Sequence, residues 1–127
     1  MTAAATIAVV LFTIVALFQI LLAAGMPWGA AAWGGQNPGV LPNRLRVSSA
    51  VSGAVVFPLL ALYVIDAAGL AQISWLPGSG RTAMWVLCGF FVLGTLMNAV
   101  SRSRIERIWA PVNLVLAICC LVVAINA

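Results

Sequence analysis

The stretch AATIAVVLFTIVALFQILLAA, residues 4–24, decides the fold. It carries no charged side chain, and its only polar side chains are those of Thr6, Thr13 and Gln19. At a rise of ~1.5 Å per residue, a helix of this length crosses a hydrocarbon core of ~30 Å. A cleaved signal peptide is the competing interpretation, but no basic segment precedes the stretch and Leu22 is bulky for a cleavage site. We therefore predict a first membrane span over residues 4–24.

Three further apolar stretches follow, at about residues 47–65, 83–100 and 110–126. The four stretches make up most of the 127 residues, of which 65% are hydrophobic and 6% charged. Soluble domains carry about 25% charged residues. The sequence therefore predicts an all-α polytopic membrane protein, in which residues 1–127 form a single transmembrane domain. We expect a bundle of four transmembrane helices with an apolar first loop rich in Gly, Pro and Trp.

Tryptophans and arginines lie where the predicted spans meet the membrane surface. Indole side chains favour the headgroup region, and basic residues near span ends set the orientation. The first and third connections hold more arginines than the second, so the positive-inside rule predicts that both termini lie outside the cytoplasm of a bacterial inner membrane. The predicted interface anchors are Trp28, Trp33, Trp75, Trp85, Trp109, Arg44 and Arg46.

The sequence has few ionisable residues that could take part in catalysis. It contains six arginines, one Asp, one Glu and no histidine. Acid–base and nucleophilic catalysis need a titratable pair within hydrogen-bond reach. Cys88, Cys119 and Cys120 do not have the spacing of metal ligands. Basic residues at span ends also do not form the soluble basic face that nucleic acids bind. We expect no enzyme activity, no metal, no cofactor and no nucleic-acid partner.

The few charges at the span ends are placed to neutralise one another. Asp66 closes the second span and can meet Arg81 across the second connection. Glu106 follows Arg102 by four residues, a spacing that allows an ion pair if this linker is helical. We predict surface ion pairs that involve Asp66, Arg81, Arg102 and Glu106.

Pro58 interrupts the middle of the second span. Proline lacks an amide donor and crowds the preceding turn, so we expect the helix to open or bend there. In lipid, a neighbour must satisfy the carbonyl that this frees. Pro111 lies at the start of the fourth span, where a missing amide costs nothing, and predicts no such distortion.

Polar side chains inside the spans indicate either close packing or a shared site. Amides and hydroxyls in hydrocarbon turn toward protein partners or water. Asn98 and Asn113 flank the third connection at similar depth and can hydrogen-bond each other. Ser49 and Gly53 have the four-residue spacing that permits close helix approach, which makes packing the default explanation. The alternative is a polar cavity near the arginine-rich side, lined by Ser52, Asn98 and Asn113.

The first connection, residues 25–43, reads GMPWGAAAWGGQNPGVLPN and holds no charged residue. It is apolar enough to lie at the membrane surface, and its glycines and prolines impose irregular backbone. Such backbone at membrane depth is tolerated only where it is buried in protein or faces water. We predict either an interfacial loop anchored by tryptophans or a cap over the bundle. The candidate ligand-binding residues are Gln36, Asn37, Asn43, Ser52, Asn98 and Asn113.

Most of the chain resembles a group of small bacterial integral membrane proteins with four spans and uncharacterised function. The first set of matching residues is Gly25 to Gly29, Gly34-Gly35, Pro38 to Pro42, Arg44 and Arg46. The second set is Phe91 to Asn98, Ser103, Glu106-Arg107 and Trp109 to Pro111. The resemblance implies a four-span fold whose first and third connections share one side, and it implies no activity.

Because reactive groups are scarce, we predict a small non-enzymatic membrane protein. Its expected role is that of an accessory or interaction subunit in a membrane assembly. Such a subunit would dock against other membrane proteins or a second copy through its small-residue and proline-bearing helices. Two alternatives from other classes remain open. One is a small-solute transporter or channel that uses the polar residues under the first connection. The other is a binder of lipid or another apolar ligand, with the first connection as its lid.

Overall fold

Helices dominate the computed structural model, which describes residues 1–101 and 104–127. They are α1 (Thr2–Ala24), α2 (Asn43–Val51), a π-helical segment (Ser52–Val56), α3 (Phe57–Ala67), α4 (Gly80–Ala99) and α5 (Trp109–Asn126). Short 3₁₀ turns lie at Gly29–Ala31, Trp33–Gly35 and Glu106–Ile108. Since α2, the π-helical segment and α3 are continuous, the described residues form four helices long and apolar enough to cross a membrane. The all-α, four-span prediction is confirmed.

The spans extend a few residues beyond their predicted apolar stretches. The second begins at Asn43 and the fourth at Glu106, each about a turn before the expected start. Hydropathy marks the hydrocarbon-crossing part of a helix, whereas backbone hydrogen bonding continues into its polar flanks. α1 ends at Ala24, because Gly25 adopts a left-handed φ of 108°. The N–H of Met26 then donates to the carbonyl of Leu21 at 3.1 Å, which caps the helix.

Pro58 opens its helix without breaking it. The π-helical segment ends at Val56, two residues before the proline, and the N–H of Phe57 donates to the carbonyl of Ser52, five residues back. A wider turn relieves the crowding that the proline ring causes in an α-helix. The expected opening of the second span is therefore present, as one π-helical turn.

The two ends of the bundle carry different connections. We call the end with both chain termini and the second connection the terminal end, and the end with the first and third connections the arginine end. α5 packs along α4 and against α1, while α1 also packs on α2, the π-helical segment and α3. The described arginines of the arginine end are Arg44, Arg46, Arg104 and Arg107, whereas Arg81 lies at the terminal end.

The terminal half of the bundle is a packed hydrophobic core. Phe12 is fully buried, with its ring 5.6 Å from that of Phe91 and 6.2 Å from that of Phe57, measured between centroids. The other large side chains that are fully buried in this cluster are Met84, Leu116, Val64, Val123 and Cys120. This half therefore holds the four spans together.

The second span approaches α1 closely through Gly53. A Cβ at this position would lie 2.6 Å from the carbonyl oxygen of Ala16 and 2.7 Å from Cγ1 of Ile20. Ser49, one turn earlier, is completely buried. The close helix approach expected from the Ser49–Gly53 spacing is thus made within the chain, against its own first span.

Candidate functional site

A cavity of about 590 Å³ extends from Leu60 and Val86, in the terminal half of the bundle, to Asn98 and Glu106 at the arginine end. Every span contributes to its wall, and residues 31–33 of the first connection cover its arginine end. Its polar lining includes one uncharged side chain from each span, namely Gln19, Ser52, Asn98 and Asn113. The rest is mainly aliphatic and aromatic. This composition is typical of a site for a small, partly apolar molecule.

The polar residues of the cavity have few partners within the protein. Oε1 of Gln19 is buried and accepts no hydrogen bond from the residues that the structure describes. The side chains of Ser52, Asn98 and Asn113 form no hydrogen bond in the described parts of the chain. Four hydrogen-bonding groups therefore face the cavity with free donor and acceptor capacity.

The hydrogen bond expected between Asn98 and Asn113 is not formed in the described parts of the chain. The amide of Asn113 lies instead against Gly94, where a Cβ would be 3.3 Å from its Nδ2. Because Gly94 has no side chain, the amide fits into this space one turn before Asn98. The two asparagines share the cavity wall as separate hydrogen-bonding groups.

A second cavity of about 730 Å³ adjoins the first toward the arginine end and shares Gly94, Asn98 and Glu106 with it. Gln36 and Ser101 add polar groups to this outer part. The combined site is therefore apolar toward the membrane interior and polar toward the membrane surface. It presents different surfaces to the two ends of an elongated molecule.

The first connection forms the cap that one of the two sequence hypotheses describes. Nε1 of Trp33 donates to Oγ of the buried Ser49 at 2.9 Å, which ties the connection to α2. Nε1 of Trp109 donates to the carbonyl of Ala31 at 2.7 Å, which ties it to α5. The Glu106 side chain accepts a hydrogen bond from the backbone of Gly34. These three contacts hold the cap over the cavity from two sides.

Two of the six candidate ligand-binding residues lie outside both cavities. Asn43 is exposed as the first residue of α2, and the carbonyl of Asn37 lies against Gly29 within the cap. The structure brings the other four to the combined site: Ser52, Asn98 and Asn113 line the inner cavity, and Gln36 lines the outer one. Whether they bind a ligand stays a prediction.

The expected ion pair between Asp66 and Arg81 is not formed in the described parts of the chain. Oδ1 of Asp66 accepts a hydrogen bond from the N–H of Ile73 at 2.9 Å. A backbone donor only seven residues away satisfies the carboxylate with less loss of side-chain entropy than a long arginine would require. The second expected pair involves Arg102, which lies outside the described residues.

The predicted interface anchors fall into two groups. Trp33 and Trp109 use their indole N–H groups within the protein, and Trp28 stacks on Phe18 with centroids 6.2 Å apart. Nε of Arg46 donates to the carbonyl of Ala23 at 3.0 Å, at the carboxyl end of α1. The remaining predicted anchors, Trp75, Trp85 and Arg44, are exposed, and their role in the interface stays a prediction.

Sequence reasoning did not assign Gln19 to the site. The available signal was an amide in an otherwise apolar span, since such a group turns toward protein or a polar cavity. The face of α1 that meets the cavity, however, depends on how four helices pack. No family model, curated protein or solved structure matches the chain, so the resemblance to small four-span bacterial proteins identifies no family.

Proposed function

We propose that this is a non-enzymatic membrane protein that binds one amphipathic, membrane-soluble molecule in the cavity beneath its first connection. The observation that carries the proposal is the cavity itself, about 590 Å³ in volume and lined by all four spans. Ligand sites typically occupy about 300–1,000 Å³ and combine an apolar wall with a few polar groups. An elongated molecule with one polar end matches the change in lining along the combined site.

The unused hydrogen-bonding groups supply a physical reason for binding. A buried polar group without a partner costs about 1–3 kcal/mol. Oε1 of Gln19 is such a group, and the partly exposed side chains of Ser52, Asn98 and Asn113 could also form hydrogen bonds to a suitable polar end. Among the described residues that line the inner cavity, Glu106 is the only ionisable one, and its side chain accepts a hydrogen bond from the backbone of Gly34. This supports binding over covalent chemistry.

The other functions considered receive less support from the geometry. Docking as an accessory subunit was expected to use the small-residue face of the second span, but Gly53 is already packed against α1. A channel or transporter needs a path through the membrane, whereas Phe12, Met84 and Phe91 are buried in the terminal half. Association with other subunits or a second copy stays a prediction.

Native mass spectrometry of the purified protein tests the proposal. The probes are three amphiphiles that share one C18 chain: 1-oleoylglycerol, oleate and oleylamine. We expect the protein to retain one molecule of at least one probe, at a fixed stoichiometry. The variant Leu60→Trp, which fills the cavity, should bind at least tenfold more weakly, because Leu60 lies on the cavity wall.

The matched control is Leu114→Trp, at a side chain that is 47% exposed and away from the cavity. It should bind as the unmodified protein does. Retention of all three probes in variable numbers, or unchanged binding by Leu60→Trp, would show that they only coat the membrane surface of the protein.

We further propose that the arginine end faces the cytoplasm of a bacterial inner membrane. Four described arginines lie at this end and one at the other, and the positive-inside rule sets orientation by such a difference. Alkaline phosphatase fused after Ala127 should then be active, and a fluorescent protein fused there should not fluoresce. The reverse pair of signals would place the arginine end outside the cytoplasm.

A further inference from the structure

We infer that the bound molecule has an uncharged, hydrogen-bonding head group and reaches the cavity sideways from the hydrocarbon, through a gap between the second and third spans. This inference rests on the proposed function, and it adds the chemistry of the ligand and its route. Two independent sets of observations carry it. The first concerns the packing of the second and third spans, and the second concerns the charges of the cavity wall.

The second and third spans touch at the terminal end and separate toward the arginine end. At the terminal end Gly80 lies against Ala67, where a Cβ would be 3.1 Å from the Ala67 backbone. Farther along, α2 and the π-helical segment pack mainly on α1. The second and third spans therefore move apart toward the arginine end, and the space between them belongs to the cavity.

Three side chains mark where this space opens to the outside. Val56, Val86 and Phe90 line the cavity, yet they are 41%, 65% and 61% exposed. Side chains that face a cavity and the outer surface at once form the rim of an opening. We call this rim, Val56, Val86 and Phe90, the lateral gap.

The lateral gap lies at the depth of the hydrocarbon. Val86 and Phe90 are six and ten residues beyond the start of α4, which places them ~9 and ~15 Å along a helix with a rise of ~1.5 Å per residue. The hydrocarbon core is ~30 Å thick. The gap therefore opens toward acyl chains, and a molecule dissolved in the bilayer meets it without crossing water.

The charges of the cavity wall select the head group. The four polar side chains that face the inner cavity are amides and a hydroxyl, and no basic residue is among the described lining residues. An anionic head group would meet no counter-charge among the described residues that line the inner cavity, and it would approach the Glu106 carboxyl. A cationic head group that approaches Glu106 would also meet Arg107, whose Nε donates to the carbonyl of Ser101 in the wall of the outer cavity, and this positive charge opposes it. Hydroxyl or amide groups can instead both donate to Gln19 and accept from Asn113.

Affinity for the three C18 probes tests the head group. Measured on the full chain in lipid nanodiscs, 1-oleoylglycerol should bind at least tenfold more tightly than oleate or oleylamine. Gln19→Met and Asn113→Leu remove hydrogen-bonding groups at similar side-chain volume, and each should weaken 1-oleoylglycerol binding about tenfold. Tighter or equal binding of a charged probe would overturn the head-group inference and leave the proposed function standing. If no probe binds, the proposed function itself fails.

The rate of uptake tests the route. Val86→Trp, on the rim of the lateral gap, should slow the uptake of 1-oleoylglycerol from vesicles at least tenfold. Val92→Trp is the matched control on the same helix, since Val92 is 47% exposed and does not line the cavity. Phe90→Ala removes bulk from the rim and should speed uptake, which keeps the test valid if the tryptophan variant folds poorly. Equal uptake rates in all four proteins would exclude the lateral route.

Discussion

Replacing Gly53 by alanine or leucine is expected to separate the first two spans and destabilise the whole bundle. The new Cβ would lie 2.6 Å from the Ala16 carbonyl oxygen and 2.7 Å from the Ile20 side chain. To relieve such a contact, the backbone of α1 would have to move away from the new Cβ by about an ångström, and the backbone of a packed helix cannot move that far. Overpacking of this kind costs about 1–3 kcal/mol for small additions, so alanine should lose about that much. Leucine, which adds three more carbons in the same place, should prevent stable folding.

The measurement is unfolding of the purified protein in mixed micelles, followed by circular dichroism as denaturing detergent is added. Gly89→Ala is the matched control, because Gly89 is also a helical glycine and a Cβ there meets nothing within 4 Å. This control should be neutral or stabilising by about 0.5–1 kcal/mol, the usual advantage of alanine over glycine in a helix. Equal stability of the Gly53 and Gly89 variants would contradict the close approach of α1 and the second span.

Gly29→Ala is expected to open the cap while leaving the four spans folded. Its N–H donates to the carbonyl of Gly39 at 2.8 Å, which closes the base of the first connection. A Cβ at Gly29 would overlap the carbonyl oxygen of Asn37 and lie 2.7 Å from that of Gly39. The two sides of the base must then move apart. We expect the two hydrogen bonds that tie the cap to the spans, from Trp33 to Ser49 and from Trp109 to Ala31, to weaken as a result.

Hydrogen–deuterium exchange separates this effect from general unfolding. Peptides from the first connection should exchange at least tenfold faster in Gly29→Ala, whereas peptides from α4 and α5 should not change. Gly39→Ala is the control from the same segment: its left-handed φ of 84° makes alanine unfavourable by about 1–2 kcal/mol, but nothing lies within 4 Å of the new Cβ. It should therefore raise exchange less. Uniform acceleration across all peptides would show that the cap and the spans unfold together.

The membrane-spanning fold could be predicted because it depends mainly on composition. A long uncharged stretch such as residues 4–24 has a low free energy only in hydrocarbon, whatever its neighbours are. The shared depth of Asn98 and Asn113 also follows from the sequence, since a short connection places them at matching levels. Their grouping with Ser52 in one cavity agrees with the sequence hypothesis of a polar site.

Contacts between distant or competing groups could not be predicted in this way. Sequence placed Trp109 at the membrane interface, whereas its indole N–H reaches Ala31, 78 residues away in the chain. Composition describes the affinity of an indole for headgroups but not for one particular carbonyl. Similarly, charge complementarity favoured Arg81 as the partner of Asp66, but the nearby N–H of Ile73 satisfies the carboxylate. Gln19 faces the cavity because of helix rotation, which hydropathy does not determine.

The placement of the indoles also gives the protein its own optical readout. Trp33 and Trp109 line the cavity, whereas Trp75 is 66% exposed in the connection at the opposite end. Indole emission depends on the polarity around the ring. A change of polarity inside the cavity therefore acts directly on Trp33 and Trp109, whereas Trp28, Trp75 and Trp85 do not line it, so that no dye needs to be attached.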